Sequence, residues 1–368
     1  MKFNPIRTKL LATAILVSLL LAACGSKAVP PTEPTVRSEP TAASEPVELR
    51  IMTHDSFLAS EALITQFEQE NNAKLSFLPS GDTGAALNKA ILSKSAPLAD
   101  VFYGVDNTFL SRALEEQLFE PYASPLLTSI PAEFKLDPEN RALPVDYGDV
   151  CINYDKAYFA DNNLALPQSL DDLTNPEYRG LLVVENPATS SPGLAFLLAT
   201  IAQYGPEGYL DYWQKLKDNG VVVVNDWNTA YYTNFSGSSG RGPQPMAVSY
   251  ASSPPAEVVF AAAPLDDAPT ASVVAPGTCF RQIEFVGILA GTPQRALAEK
   301  FVDFMLSFPF QEDMPLQMFV FPVQPDAQLP EVFVKYAQTA QQPAALDPAE
   351  ISANRSAWID AWTETVLR

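Results

Sequence analysis

Val47-Glu-Leu-Arg-Ile51, Ser60 followed by Leu63, Ile64 and Phe67, Leu75-Ser-Phe-Leu78, Thr83 followed by Leu87, Ile91 and Leu92, and Asp100-Val-Phe-Tyr103 together decide the fold. The first run alternates apolar and polar side chains, the two-residue period of a half-buried strand. The second spaces its apolar residues three and four apart, one stripe of a helix that begins at a serine. Residues 75–78 return to a strand, Thr83 caps a second helix, and residues 100–103 form a third short strand. Strand, helix, strand, helix, strand predicts a parallel sheet, because parallel neighbours require a crossover. Ligands of such sheets bind beyond the carboxyl ends of the strands. That rule selects His54-Asp-Ser56, Gly81-Asp-Thr83 and Gly104-Val-Asp106.

The second half repeats the pattern. Gly180-Leu-Leu-Val-Val-Glu185 reads as a buried strand, and Asn186 to Ser191 as a turn. Ser191 as N-cap with Pro192 at the first helical position is a strong helix start. A second helix is expected over 208–218, strands over 221–224 and 246–250, and a helix opening at Ser253-Pro-Pro255. A further helix spans 293–306. Asp347-Pro-Ala-Glu350 reads as a capping box for a final helix whose Trp358 and Trp362, four apart, share a core-facing side.

Outside this body the chain carries an export signature. Lys2, Arg7 and Lys9 precede an apolar run over 10–21 that ends Leu21-Ala-Ala-Cys24. A short apolar segment behind basic residues reads as a signal peptide (1–23), since a spanning helix needs about 20 apolar residues. The Leu-Ala-Ala-Cys end resembles the lipobox of bacterial lipoproteins, so Cys24 is the expected lipidation site. A linker over 24–46, with Pro30, Pro31, Pro34, Pro40 and Pro46 among small polar residues, buries too little surface to offset its ordering entropy and is expected to be disordered.

The chain has 368 residues and a formal charge of −20, which removal of Lys2, Arg7 and Lys9 takes to about −23. That balance opposes nucleic acid and anionic membrane surfaces as partners and favours the approach of cationic solutes. With one histidine, His54, and three cysteines, Cys24, Cys151 and Cys279, a Cys/His zinc site is not expected. No nucleophile elbow, Walker loop or dinucleotide fingerprint is present. His54, Asp55 and Ser56 diverge along an extended chain and do not form a triad. The loops offer flat rings, Ser and Thr at helix starts, and carboxylates. These suit a small, flat cation held by aromatic faces and charge, with hydroxyls and helix N–H groups for a polar tail. Tyr231 and Tyr232 leave a second reading open, a tyrosinate site for ferric iron; a polyamine is another cationic candidate, and a lipid-anchored enzyme a third class.

The body resembles the thiamine-binding proteins of bacterial thiamine ABC importers. The resemblance runs from residue 47 to 368 through Thr53-His-Asp-Ser-Phe57, Asp100-Val-Phe-Tyr-Gly-Val-Asp-Asn107, Val145-Asp-Tyr-Gly148, Thr189-Ser-Ser-Pro-Gly193, Asp226-Trp-Asn-Thr-Ala-Tyr231, Ser249-Tyr-Ala-Ser-Ser-Pro254 and Phe321-Pro-Val323, in that order. It implies an α/β, two-lobed periplasmic-binding-protein-like fold (type II). Each lobe would be a mostly parallel sheet flanked by helices, with the ligand in the cleft between lobes. The implied lobes are 47–148 with 281–325, and 149–280 with 326–368. By position, Asp82 and Thr83 lie beside the ligand on the first lobe, and Ser190 and Ser191 hold its hydroxyl or phosphate end. Trp227 and Tyr250 stack on its rings with Tyr231 nearby, and Ala251, Ser252 and Ser253 line the pocket. His54 stands where the family often has Tyr, Phe319 where Trp is common, and Ala256 where an aromatic is usual, so the pocket is less aromatic than its relatives'. No cofactor, a monomer, and a permease with its ATPase as partners are implied. Cys151 and Cys279 fall where the chain would cross between lobes. A bond between them is expected in an oxidising compartment, two buried thiols being the alternative.

Overall fold

The computed structural model describes residues 45–239 and 242–368. The expected signal peptide, the lipidation site at Cys24 and the linker up to residue 44 lie outside the described residues. The strands are β1 (Val47–Thr53), β2 (Ala73–Pro79), β3 (Val101–Asp106), β4 (Phe119–Glu120), β5 (Leu143–Asp155), β6 (Leu182–Glu185), β7 (Val222–Val224), β8 (Met246–Tyr250), β9 (Thr270–Val273), β10 (Phe280–Leu289) and β11 (Phe321–Pro322).

The strands form one hydrogen-bonded sheet in the order β2-β1-β3-β10-β5-β8-β6-β7. At one end β2, β1 and β3 are parallel, with Ile51 opposite both Phe77 and Val101. At the other, β7, β6 and β8 are parallel. These parallel triplets are the two crossover units read from the sequence. They are joined through β10 and β5, which run antiparallel to β3, to each other and to β8. The 13-residue β5 serves both halves: it pairs with β10 over 143–150 and with β8 over 150–154. On its β10 edge, β9 takes over from residue 152, and on the opposite edge β11 precedes β8.

The core follows the alternation that predicted the strands. Leu49, Ile51, Val101, Val183, Val184, Ala247 and Val248 are fully buried beneath helices. The helix Glu61–Asn71 turns Phe67 inward, edge-on to Phe301 of the helix Arg295–Leu306. The helix Ser191–Asp218 breaks at Gly205-Pro206, which separates the two helices expected from the sequence. Trp213 of its second part packs edge-on against Trp362 of the helix Pro348–Val366, so the terminal tryptophan stripe is core, as read. Cys151 on β5 and Cys279 just before β10 are joined as a disulfide between crossing strands. No helix among the described residues is long and apolar enough to cross a membrane.

Candidate functional site

A cavity enclosing about 790 Å³, part of it open to solvent, lies where β1, β2, β3, β6 and β8 end, as the strand-end rule requires. His54, Ser56, Asp82 and Thr83 line it from the first half of the sheet, Trp227, Tyr231, Tyr232, Tyr250 and Ser253 from the second, and Glu284, Met318 and Phe319 from the joining segments.

On the first side, Asp82 caps the helix Thr83–Leu92. Its carboxylate accepts the Thr83 N–H at 2.8 Å and, across the cleft, the Trp227 N–H at 3.1 Å. The cap is therefore Asp82 and not Thr83, one residue earlier than the sequence reading. Thr83 is the first helical residue, and its hydroxyl donates to the Gly104 carbonyl at 2.9 Å. Burial raises the Asp82 pKa, opposed by these donors. The Ser190 hydroxyl lies near enough to Asp82 to add to that opposition, without the geometry of a full hydrogen bond. Gly104, at φ 105, keeps the floor open for His54: a Cβ there would stand 2.6 Å from the imidazole Cδ2. His54 Nδ1 accepts the Ser56 N–H at 3.2 Å, and burial lowers the ring's pKa to about 4. The imidazole is thus neutral at physiological pH, which removes the repulsion of a cation that a protonated ring would bring.

On the second side, Trp227 is fixed by its indole N–H to Ser249 Oγ at 2.9 Å and by stacking on Tyr231, with centroids 5.0 Å apart and planes 16° apart. Tyr231 is a backing residue. Its ring is fully buried behind Trp227 and its hydroxyl donates to Glu257 at 2.8 Å. Burial raises the phenols of Tyr231 and Tyr232 and disfavours the tyrosinates a ferric site needs. No group of three or more His, Cys, Asp or Glu among the described residues is arranged to hold a metal ion. Tyr250 turns edge-on to Trp227 and accepts from Gln282 Nε2 at 2.8 Å. Phe319, at φ 56, meets the exposed Phe260 edge-on at the mouth.

The remaining expected residues stand in the wall. Ser190 is the N-cap of the helix Ser191–Asp218, again one residue before the sequence reading, and Ser191 donates its hydroxyl to Asp106 across the cleft. Ala251 and Ser252 are fully buried, and it is Ser253 that reaches the cavity.

Carboxyl groups dominate the electrostatics. Asp82 and Glu284 line the cavity, and Asp106, Asp146 and Glu185 lie buried around it. No Lys or Arg among the described residues lines it. Burial pushes Asp106 up to about 6 and Asp146 to about 7, and holds Glu185 and Glu284 well above the carboxylate range. Glu284 escaped the sequence reading. It is an acid inside the apolar run Ile283-Glu-Phe-Val-Gly-Ile-Leu289, an incongruity that marks a buried ionisable group out of keeping with its strand.

Residues 96–349 match the family of bacterial extracellular solute-binding proteins. The thiamine-binding periplasmic protein of Salmonella typhimurium is 30% identical over 331 residues, covering 87% of this chain and 94% of that protein. That of Brucella suis is 28% identical over 326 residues, covering 87% and 92%. A solved periplasmic thiamin binding protein superposes with a TM-score of 0.78 at 28% identity, over 89% of this chain and 99% of that one. Fold, strand-end cleft and sequence agree, and the chain belongs to the bacterial extracellular solute-binding protein family.

Proposed function

We propose that this chain is the solute-binding component of an ABC importer that captures thiamine or its phosphates, without turnover, and delivers the solute to a membrane permease whose ATPase drives transport. One observation carries the reading. The cleft offers aromatic faces at Trp227, Tyr250 and Phe319 within a ring of carboxyl groups, and no basic side chain among the described residues lines it. A flat aromatic cation is what such a site attracts, through ring quadrupoles and charge complementarity together. The similarity to thiamine-binding periplasmic proteins supports the choice of cation. An extracytoplasmic location follows from the same relatives.

In this reading the lobes are 47–148 with 281–325, and 149–280 with 326–368, and a monomer closes them on the solute. Contacts that bridge those segments support it. Trp227 N–H donates to Asp82, Ser56 donates to Asn228 Oδ1 at 3.1 Å, and Ala85 N–H donates to the Thr189 carbonyl at 3.3 Å. A lipid on Cys24 and the linker over 24–46 would tether the body to the membrane, with a mean reach of about 25 Å if flexible. Titration calorimetry tests the function. Thiamine should bind at a single site and be recovered unchanged. Chemical turnover of thiamine, or an iron charge-transfer band that depends on Tyr231 and Tyr232, would replace this reading with an enzyme or an iron carrier.

A further inference from the structure

Asp106, Glu284 and Asp146 stand in one row across three strands, with Glu284 of β10 directly opposite Asp106 of β3 on one side and Asp146 of β5 on the other. All three are buried. Like charges directly opposite one another in a sheet repel, so this row cannot hold three negative charges. The Tyr103 hydroxyl locates a proton. It lies 2.6 Å from Asp146 Oδ2 and 3.0 Å from Glu284 Oε2. A phenol has one hydrogen to donate, so only one of these contacts can run outward from it. The shorter has the length of a bond to an ionised carboxylate. A protonated Glu284 then has two acceptors on this side, the phenol oxygen at the longer contact and the Asp146 carboxylate within hydrogen-bonding reach. Burial and the neighbouring Asp146 carboxylate both favour neutral Glu284.

That arrangement leaves Glu284 Oε1 facing the cleft as an acceptor. It lies 3.8 Å from His54 Nε2 and 3.5 Å from Gln282 Nε2, the latter at the limit of a hydrogen bond and already donating to Tyr250 at 2.8 Å. His54 is the complementary group. With Nδ1 accepting from Ser56, its hydrogen is on Nε2, a buried atom with no hydrogen-bond partner. At 3.8 Å the donor and the acceptor are too far apart to satisfy each other. The gap is one that a ligand edge carrying an acceptor beside a donor can bridge.

We propose that His54 and Glu284 read the amidine edge of the ligand's heteroaromatic ring: Glu284 Oε1 accepts from an exocyclic amino group while His54 Nε2–H donates to the adjacent ring nitrogen. This rests on the thiamine-class reading and deepens it, because the aminopyrimidine of thiamine carries such an edge. It makes Glu284 a specificity residue that binds as a neutral carboxyl, while the ionised groups around it serve the cation. A ring with a keto oxygen and a ring N–H in those positions presents the opposite pattern. It would face acceptor with acceptor and donor with donor.

The test is calorimetry of the full chain with thiamine and with the thiamine analogue whose pyrimidine amino group is replaced by a keto oxygen. The wild-type protein should bind thiamine at least about 30-fold more tightly, since a site built to pair polar groups rejects a mispaired analogue strongly. Glu284→Leu and His54→Phe should each reduce that preference to about 3-fold or less. Glu284→Gln, a neutral isostere whose amide can take the Tyr103 contact, should restore most of it. Near-ultraviolet circular dichroism of each variant establishes that it is folded. Equal binding of thiamine and the analogue by wild type overturns the proposal and leaves the thiamine reading standing, whereas binding of neither removes both. A folded Glu284→Leu protein that keeps the full preference, or a Glu284→Gln protein as unselective as Glu284→Leu, also overturns it.

Discussion

Gly84→Ala tests whether the contact between the helix Thr83–Leu92 and the turn before the helix Ser191–Asp218 belongs to the solute-bound state. A Cβ on Gly84 would stand 2.8 Å from the Ala188 carbonyl oxygen and 2.9 Å from that of Thr189. These are backbone atoms and cannot rotate away. Ordinary contact begins near 3.4 Å, so the two segments would have to part by about 0.6 Å. Parting by that distance also strains the Ala85 N–H to Thr189 bond, already 3.3 Å long. Overpacking of this kind costs about 1–3 kcal/mol. If the two segments come together only on closure, the whole cost falls on binding, and Kd for thiamine should rise about 5- to 150-fold. The ligand-free protein can relieve the clash by opening, so its Tm should stay within about 1 °C of wild type. Calorimetry and thermal unfolding without ligand make the pair of measurements. An affinity within twofold of wild type would refute the reasoning. So would a fall in ligand-free Tm that accounts for the whole effect, because the contact would then be permanent core.

Trp227→Ala and Tyr250→Ala remove the aromatic faces and should each weaken thiamine binding by about 2 kcal/mol, roughly 30-fold in Kd, read by calorimetry. Stability and solute binding should respond to pH in opposite directions. Asp106 and Asp146, raised to about 6 and about 7 in the folded state, contribute stability that is fully present below their unfolded values and is lost as pH rises through the folded ones. The ligand-free Tm should therefore be higher at pH 5.5 than at pH 8, while thiamine affinity should increase over the same interval with release of protons, visible as a buffer-dependent binding enthalpy. Replacing Cys151 and Cys279 together by Ser should lower stability by up to about 4–5 kcal/mol in denaturant unfolding, since the bond closes 128 residues. Cys24→Ser should leave calorimetric affinity for thiamine unchanged while cellular uptake falls; altered affinity would mean that the linker does more than tether.

Most of the scaffold was legible because its signals are local. The alternation at 47–51, the i, i+3, i+4 stripe at Leu63, Ile64 and Phe67, and the prolines at 192 and 254 each specify their own element. The discrepancies of one residue at Asp82 and Ser190 reflect a general ambiguity between adjacent short polar residues: at Asp82 the side chain reaches the Thr83 N–H, whereas Ser190 is the cap by its extended backbone alone, without a side-chain bond. What the sequence withheld depends on distance along the chain. Glu284 takes its meaning from Tyr103 and Asp146, 181 and 138 residues earlier, and no local pattern brings them together. Tyr231 was legible as one of an aromatic pair, but its place behind Trp227 is set by Glu257, 26 residues on. The union of the two parallel triplets into one sheet was likewise hidden, because β5 and β10 each look like a single ordinary strand.

Considered as a mechanical joint, that union would make closure of the proposed lobes a bend in a two-strand leaf spring. The β5–β10 ladder is clamped at one end by the bond between Cys151 and Cys279, next to the last pair, Val150 opposite Phe280. It is interrupted by an irregularity between Glu284 and Phe285, where the register shifts before pairing resumes with Phe285 opposite Pro144. Bending would therefore concentrate at that irregularity, beside the Glu284 carboxyl that lines the cleft. A ligand that engaged Glu284 would bear on the joint at its irregular point, so recognition of the solute and deflection of the joint would share one residue.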